Sequence, residues 1–310
     1  MSRIHEALKR AEEQRAASQG GRIAPAETVE ASATEAGAAA RGVDSALAGA
    51  APAAMPPFPT PFTFDTLLAR CAQSNWTPDA KTMLFFSAEE QGYGTEEFRT
   101  LRTRLYQMRE NQSLKKLLVT SSLPKEGKSF VAANLAQVMV RQHGRRALLI
   151  DGDLRGPRLH QVLGTSSTPG LAEYLLGEND EFGIMQRGPM ENLFFIPSGR
   201  TVSNPAELVA NGRLKFLLHR LEPLFDWIII DSPPAVPVSD AGLLANYCDG
   251  VLMVVRSNAT PFDMARKARQ EFRDKHLVGV VLNGIEAGSS YTQYYYSAYG
   301  RPNGKGEVQR

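Results

Sequence analysis

The 310-residue chain has little cysteine: Cys71 and Cys248 lie far apart, outside any CxxC pattern and away from any Cys/His cluster. A disulfide scaffold and a structural zinc site are thereby excluded. Long apolar runs are missing as well. No window approaches the 18 or so apolar residues that span a bilayer, and the opening MSRIHEALKRAEEQR has no apolar signal core, so a cytoplasmic protein is expected. Charge of one sign is also scarce. Lys and Arg number 35 against 33 Asp and Glu, so no global basic field invites nucleic acid, and no nucleic-acid partner is expected. The remaining composition, 43% hydrophobic and 22% charged, is that of a globular protein able to bury a core.

At about 100–200 residues per domain the length fits one large domain with attached segments. Residues 1–15 predict an amphipathic helix, capped by Ser2, with Ile4, Ala7, Leu8 and Ala11 on one face. So short a helix is marginal alone; it either docks on a surface or stays a solvated tip. Residues 16–61 predict a disordered linker: 16 of the 39 residues from Ala16 to Ala54 are Ala, and prolines follow at 52, 56, 57, 59 and 61. Such a stretch lacks the large apolar side chains that offset ordering entropy. Residues 62–112 read as a helical docking or oligomerisation segment, with Phe98, Leu101, Leu105 and Met108 along one side of a helix over 95–110.

From 113 to 287 strands and helices alternate. Strands are expected at 116–120, 147–151, 193–196, 227–231, 250–255 and 278–283. Helices are expected at 128–142, 171–176, 205–222, 240–246 and 262–275, with Asn204 capping the third and Thr260 the last. The strands are continuous apolar runs, as burial on both faces requires. The expected fold is α/β, a P-loop NTPase with a mostly parallel central sheet flanked by helices. Residues 288–310 form a polar, tyrosine-bearing tail.

Between the first strand of this region and its helix lies Ser122-Leu-Pro-Lys-Glu-Gly-Lys-Ser129, the Walker A spacing with Ser122 in place of the first glycine. Backbone N–H groups and the helix dipole converge there on a phosphate. Ser122, Lys125, Glu126, Gly127, Lys128, Ser129 and Phe130 are the expected nucleotide-binding residues. Lys128 reaches the β- and γ-phosphates and Ser129 ligates Mg²⁺. The next strand ends in Asp151 and Asp153, at the sheet edge where open α/β folds bind ligands. One carboxylate can hold the metal and the other accept a proton; the sequence leaves open which is the base. Arg155 either contacts an anion or pairs on the surface. A third strand ends in Asp231, placed as a Walker B carboxylate near the metal. Asn283, closing the last strand, either reads the adenine edge or only forms a turn. His160 reads as structural.

These residues resemble the bacterial tyrosine autokinases of capsule and exopolysaccharide synthesis, relatives of the deviant-Walker partition ATPases. SSLPKEGKS, LLIDGDLR, IIIDSPP and SGRTVSNPAEL carry the resemblance over roughly residues 96–299. SRIHEALKRAEEQ with the Ala-rich tether looks like the soluble type encoded at exopolysaccharide loci. The resemblance implies ATP and Mg²⁺ as cofactors and tyrosine kinase activity with Lys128, Asp151, Asp153 and Asp231 catalytic. It also implies a membrane chain-length-determinant partner that activates the enzyme and recruits it to the inner face of the membrane. It implies a ring-type homo-oligomer, assembled through a helix in which Glu96, Arg99 and Arg102 match a Glu-x-x-Arg-x-x-Arg pattern. Those three residues also fit a solvated salt-bridge ladder.

Five of the nine tyrosines, Tyr291, Tyr294, Tyr295, Tyr296 and Tyr299, fall within nine residues flanked by Gly and Ser. A tail on a neighbouring subunit can bring such phenols in line with a γ-phosphate, which makes them the expected autophosphorylation sites. The rival reading is a partition-type P-loop ATPase that switches without phosphorylating tyrosine. Such enzymes carry a second lysine early in the loop, where this chain has Leu123 and Pro124, and have no use for a tyrosine cluster.

Overall fold

The computed structural model describes residues 63–79, 82–86 and 94–285. The helix expected at 1–15, the whole linker expected at 16–61 and the tyrosine tail lie outside the described residues. Among the described residues the elements are α1 (Phe64–Arg70), β1 (Ala72–Gln73), α2 (Thr95–Asn111), β2 (Lys116–Ser121), α3 (Lys128–Val140), β3 (Ala147–Asp151), α4 (Leu159–Leu163), α5 (Leu171–Leu176), β4 (Gln186–Arg187), β5 (Leu193–Ile196), α6 (Pro205–Ala210), α7 (Arg213–Leu221), β6 (Trp227–Asp231), α8 (Asp240–Ala245), β7 (Gly250–Arg256), α9 (Phe262–Glu271) and β8 (Leu277–Asn283).

The strands form one sheet in the order β1-β4-β5-β3-β6-β2-β7-β8. All pairings are parallel except β4 with β5. The alternation of side chains explains the unbroken apolar runs. In β6, Ile228 and Ile230 enter the core on one face while Trp227 and Ile229 enter the core on the other. Helices α5, α7 and α8 contribute to the first core, α2 and α3 to the second. Since β2 has β6 on one side and β7 on the other, the chain reverses direction around it, and the crevice at its carboxyl end is where such folds bind ligands.

The described parts of the segment expected at 62–112 as a helical docking or oligomerisation segment contribute to the sheet and to both cores. Strand β1 extends the sheet beyond β4, and Leu67 of α1 is fully buried in the first core. Helix α2 lies on α3, with the Phe98 ring 5.8 Å from that of Phe130 and Arg102 Nη1 donating to the Val138 carbonyl at 3.0 Å. Residues 82–85 are tied to α3 by its own polar side chains. Asn134 accepts from the Leu84 N–H and donates to the Thr82 carbonyl, and Arg141 donates to the Phe85 carbonyl.

Two helix expectations are corrected. The helix expected over 205–222 breaks into α6 and α7, because Gly212 takes φ +84°, a conformation open to glycine and closed to helix. Thr260 does not cap α9: the cap position is Pro261, and the Thr260 hydroxyl is engaged elsewhere. Asn204 occupies its cap position without a side-chain capping bond. Cys71 and Cys248 are free thiols. No described helix is long and apolar enough to cross a membrane.

Candidate active site

Strands β2, β6 and β3 lie side by side and end together, with Val119 and Asp151 both in register with Asp231. Their carboxyl ends carry the phosphate-type loop, Asp231 and Asp151. The loop turns into α3 through Gly127 at φ +96°, where an added Cβ would sit 2.0 Å from Asn283 Nδ2. Lys125 also takes a positive φ, +67°, whereas Ser122, in the position usually held by glycine, does not and so carries no backbone penalty.

Four side chains meet at the mouth of this loop. Lys128 Nζ stands 2.9 Å from Asp153 Oδ2 and 3.4 Å from Ser129 Oγ, and the Ser129 hydroxyl donates to Asp231 Oδ2 at 2.5 Å. Asp231 Oδ1 is buried and has no hydrogen-bond partner among the described residues. Asp151 sits deeper, fully buried. Its Oδ1 accepts from the Asp153 N–H at 3.2 Å and its Oδ2 from the Leu159 N–H at 3.1 Å. Asp153 spends Oδ1 on the Arg155 and Gly156 N–H groups, shaping its own turn, and Oδ2 on Lys128. Gly152 lets the two aspartates crowd Asp231, since a Cβ there would lie 2.7 Å from the Asp231 carbonyl.

The electrostatics follow from burial. Desolvation pushes the Asp151 carboxyl well above the usual carboxylate range, and the charges of Asp231 and Asp153 push further against the Leu159 N–H and Lys128. Asp231 is pushed up to about 6 by burial, reinforced by Asp153 and opposed by Lys128 and the Ser129 hydroxyl. Burial works against the Lys128 ammonium, but Asp231, Asp153 and Asp151 outweigh it and hold its pKa above the ordinary lysine value. The site is a cation held among carboxylates that share too little water to be fully charged without it.

Other expected residues have different partners. Arg155 Nε reaches both oxygens of the buried Asp240 at 3.1 and 3.2 Å, so its anion is a side chain of α8. Asn283 stands over the loop, but its amide donates to the Glu126 carbonyl at 2.9 Å, which makes its contact a backbone brace. Glu126 is buried, and the Phe130 ring packs edge-on against Phe98 of α2. Glu96 pairs with Arg99 inside α2, and Arg102 is bonded to α3. Among the described residues no three His, Cys, Asp or Glu side chains form a metal cage. Sequence reading missed Asp240 and Arg256; nothing near either in sequence signals its partner.

Fold and loop together define a P-loop NTPase. Residues 125–263 match the profile of the AAA domain family. The chain is 34% identical over 210 residues to the tyrosine-protein kinase YwqD of Bacillus subtilis, a match covering 67% of this chain and 88% of that protein. It is 33% identical to the putative tyrosine-protein kinase EpsB of Ralstonia nicotianae over 69% of this chain, but spans only 30% of that longer relative. Among solved structures, the kinase domain of Escherichia coli tyrosine kinase ETK matches with TM-score 0.60 and 30% identity, over 63% of this chain and 77% of that one. The chimerical protein CapA2B2 matches with TM-score 0.63 and 27% identity, over 71% and 97%. The chain belongs to the family of bacterial tyrosine-protein kinases, and its activity is that of a tyrosine-protein kinase.

Proposed function

We propose that the protein transfers the γ-phosphoryl group of ATP to its own carboxyl-terminal tyrosines, Tyr291, Tyr294, Tyr295, Tyr296 and Tyr299, largely between subunits of a homo-oligomer. The observation that carries the reading is the Lys128–Ser129–Asp231–Asp153 constellation at the loop mouth, beside the strand whose last residue, Asn283, precedes the tyrosine cluster by only eight residues. An incoming polyphosphate competes with Asp153 for the Lys128 ammonium and draws it onto the transferring group. A carboxylate of the Asp151–Asp153 turn takes the phenol proton, a role suited to a group with a raised pKa.

Ser129 and Asp231 fit Mg²⁺, which takes one or two protein oxygens and fills its remaining positions with phosphate oxygens and water, and Asp231 Oδ1, without a hydrogen-bond partner among the described residues, is an oxygen open to ligation. Bound there, the ion would neutralise charge on the phosphates. Each transferred phosphate adds about −1.5 to −2 charges, so a charged tail is repelled from this acidic site and releases the neighbouring subunit. Through that cycle, and with a membrane chain-length-determinant partner, the kinase regulates exopolysaccharide polymerisation or export at the inner face of the membrane.

The test mixes two chains with ATP and Mg²⁺: Lys128→Ala with an intact tail, and an active chain whose five tail tyrosines are Phe. Phosphotyrosine on the Lys128→Ala tail, read by mass spectrometry, supports transfer between subunits. Phosphate release with no labelled tyrosine in any mixture, wild type included, favours the ATPase switch instead.

A further inference from the structure

The phosphate-type loop is held from outside by three side chains of the β7–α9 turn and the end of β8. Arg256 Nη1 donates to the Lys125 carbonyl at 3.2 Å, and Asn283 Nδ2 donates to the Glu126 carbonyl at 2.9 Å. The Thr260 hydroxyl donates to Glu126 Oε1 and accepts from the Arg256 N–H at 3.1 Å. Glu126 Oε2 accepts from the Leu123 N–H at 2.7 Å, so both oxygens of this buried carboxylate are committed. These contacts join residues 131, 134 and 157 positions apart, and they converge on the two loop residues that precede Gly127.

A carboxylate inside an anion-binding loop is an electrostatic liability. Left free to turn, Glu126 would oppose phosphate and compete for the backbone N–H groups the phosphate needs. We infer that Thr260 is a positioning residue for nucleotide binding: with Arg256 and Asn283 it clamps Glu126 and the left-handed Lys125 in the conformation that leaves the loop open to phosphate. The inference rests on the nucleotide reading of that loop and goes beyond it by assigning its affinity to a distant turn.

The clamp acts on binding, so its signature is in KM and Kd for ATP while kcat at saturating nucleotide stays near wild type. Thr260→Val removes the hydroxyl at constant shape. It is expected to weaken a fluorescent ATP analogue on the order of ten-fold, equivalent to about 1.4 kcal/mol. Thr260→Ser keeps the hydroxyl and should bind within about two-fold of wild type, well under that 1.4 kcal/mol. Adding Glu126→Gln to Thr260→Val removes the released charge and should restore most of the affinity. Arg256→Gln, which loosens the Lys125 carbonyl, should raise KM in the same way.

Wild-type affinity in Thr260→Val overturns the inference. So does equal weakening in Thr260→Val, Thr260→Ser and the Glu126→Gln double variant, the pattern of a merely structural residue. Wild-type protein that binds nucleotide yet never labels its tail sinks the autokinase reading and leaves the clamp testable and standing on the same affinities.

Discussion

Replacing Asp231 with Asn separates what this carboxylate does for chemistry from its effect on the fold. The side chain is fully buried, and burial with the Asp153 charge, against Lys128, raises its pKa from 3.8 to about 6. The folded protein therefore binds this proton more tightly than the unfolded chain. The group's contribution to stability is fully present below pH 3.8 and is lost as pH rises through about 6. A gap of about two pH units, at about 1.4 kcal/mol each, amounts to about 3 kcal/mol by pH 7.5. Asn is neutral throughout and keeps an oxygen for the Ser129 hydroxyl. At about 2–4 °C per kcal/mol, ligand-free Asp231→Asn should melt about 6–12 °C above wild type at pH 7.5. The difference should shrink toward zero near pH 4. Scanning calorimetry on chelator-treated, nucleotide-free protein reads both, and ATP-dependent labelling by the same variant should fall to background. A variant that melts below wild type at pH 7.5, or a difference that ignores pH, refutes the account of Asp231 as a strained buried charge.

Other substitutions test neighbouring contacts. Lys128→Met leaves Asp153, Asp151 and Asp231 without their cation; breaking a buried pair costs about 3–5 kcal/mol, so a sharply lower melting temperature should accompany loss of phosphotyrosine on blots. Arg155→Ala strips the buried Asp240 of its guanidinium. It should lower stability by about 1–3 kcal/mol in urea titrations, and a variant of unchanged stability but lost nucleotide affinity would return Arg155 to the binding site. Arg102→Ala frees the Val138 carbonyl at a cost of about 1 kcal/mol. If α2 carries the assembly surface, light scattering should also report a smaller particle; an unchanged mass counts against that role.

The sheet was readable because burial on both faces leaves an unmistakable mark: runs such as Trp227–Ile230 have no polar break until Asp231. The two-residue strands β1 and β4 are too short to carry any period and were invisible. The break at Gly212 was hidden by Leu214, Leu217 and Leu221, which continue the helical spacing beyond it. At the site, residue types pointed to the carboxyl edge of the sheet but not to their partners. Whether Asp153 faces Lys128, or Arg155 faces a ligand or Asp240, depends on where segments 25 and 85 residues away return. Local chemistry does not encode that. Thr260 shows the limit well: a hydroxyl before Pro261 satisfies every local rule for a cap, and a tertiary partner, Glu126, claims it.

Helix α2 meets α3 at Phe130, one residue past Ser129, and again at the Val138 carbonyl. Eight residues separate the two points, about 12 Å of helix. Two fastenings that far apart make α2 a splint: it cannot tilt without carrying the shaft that begins at Lys128. Whatever grasps the outward Glu96–Arg99 side of the splint has its hand on the axle of the phosphate loop.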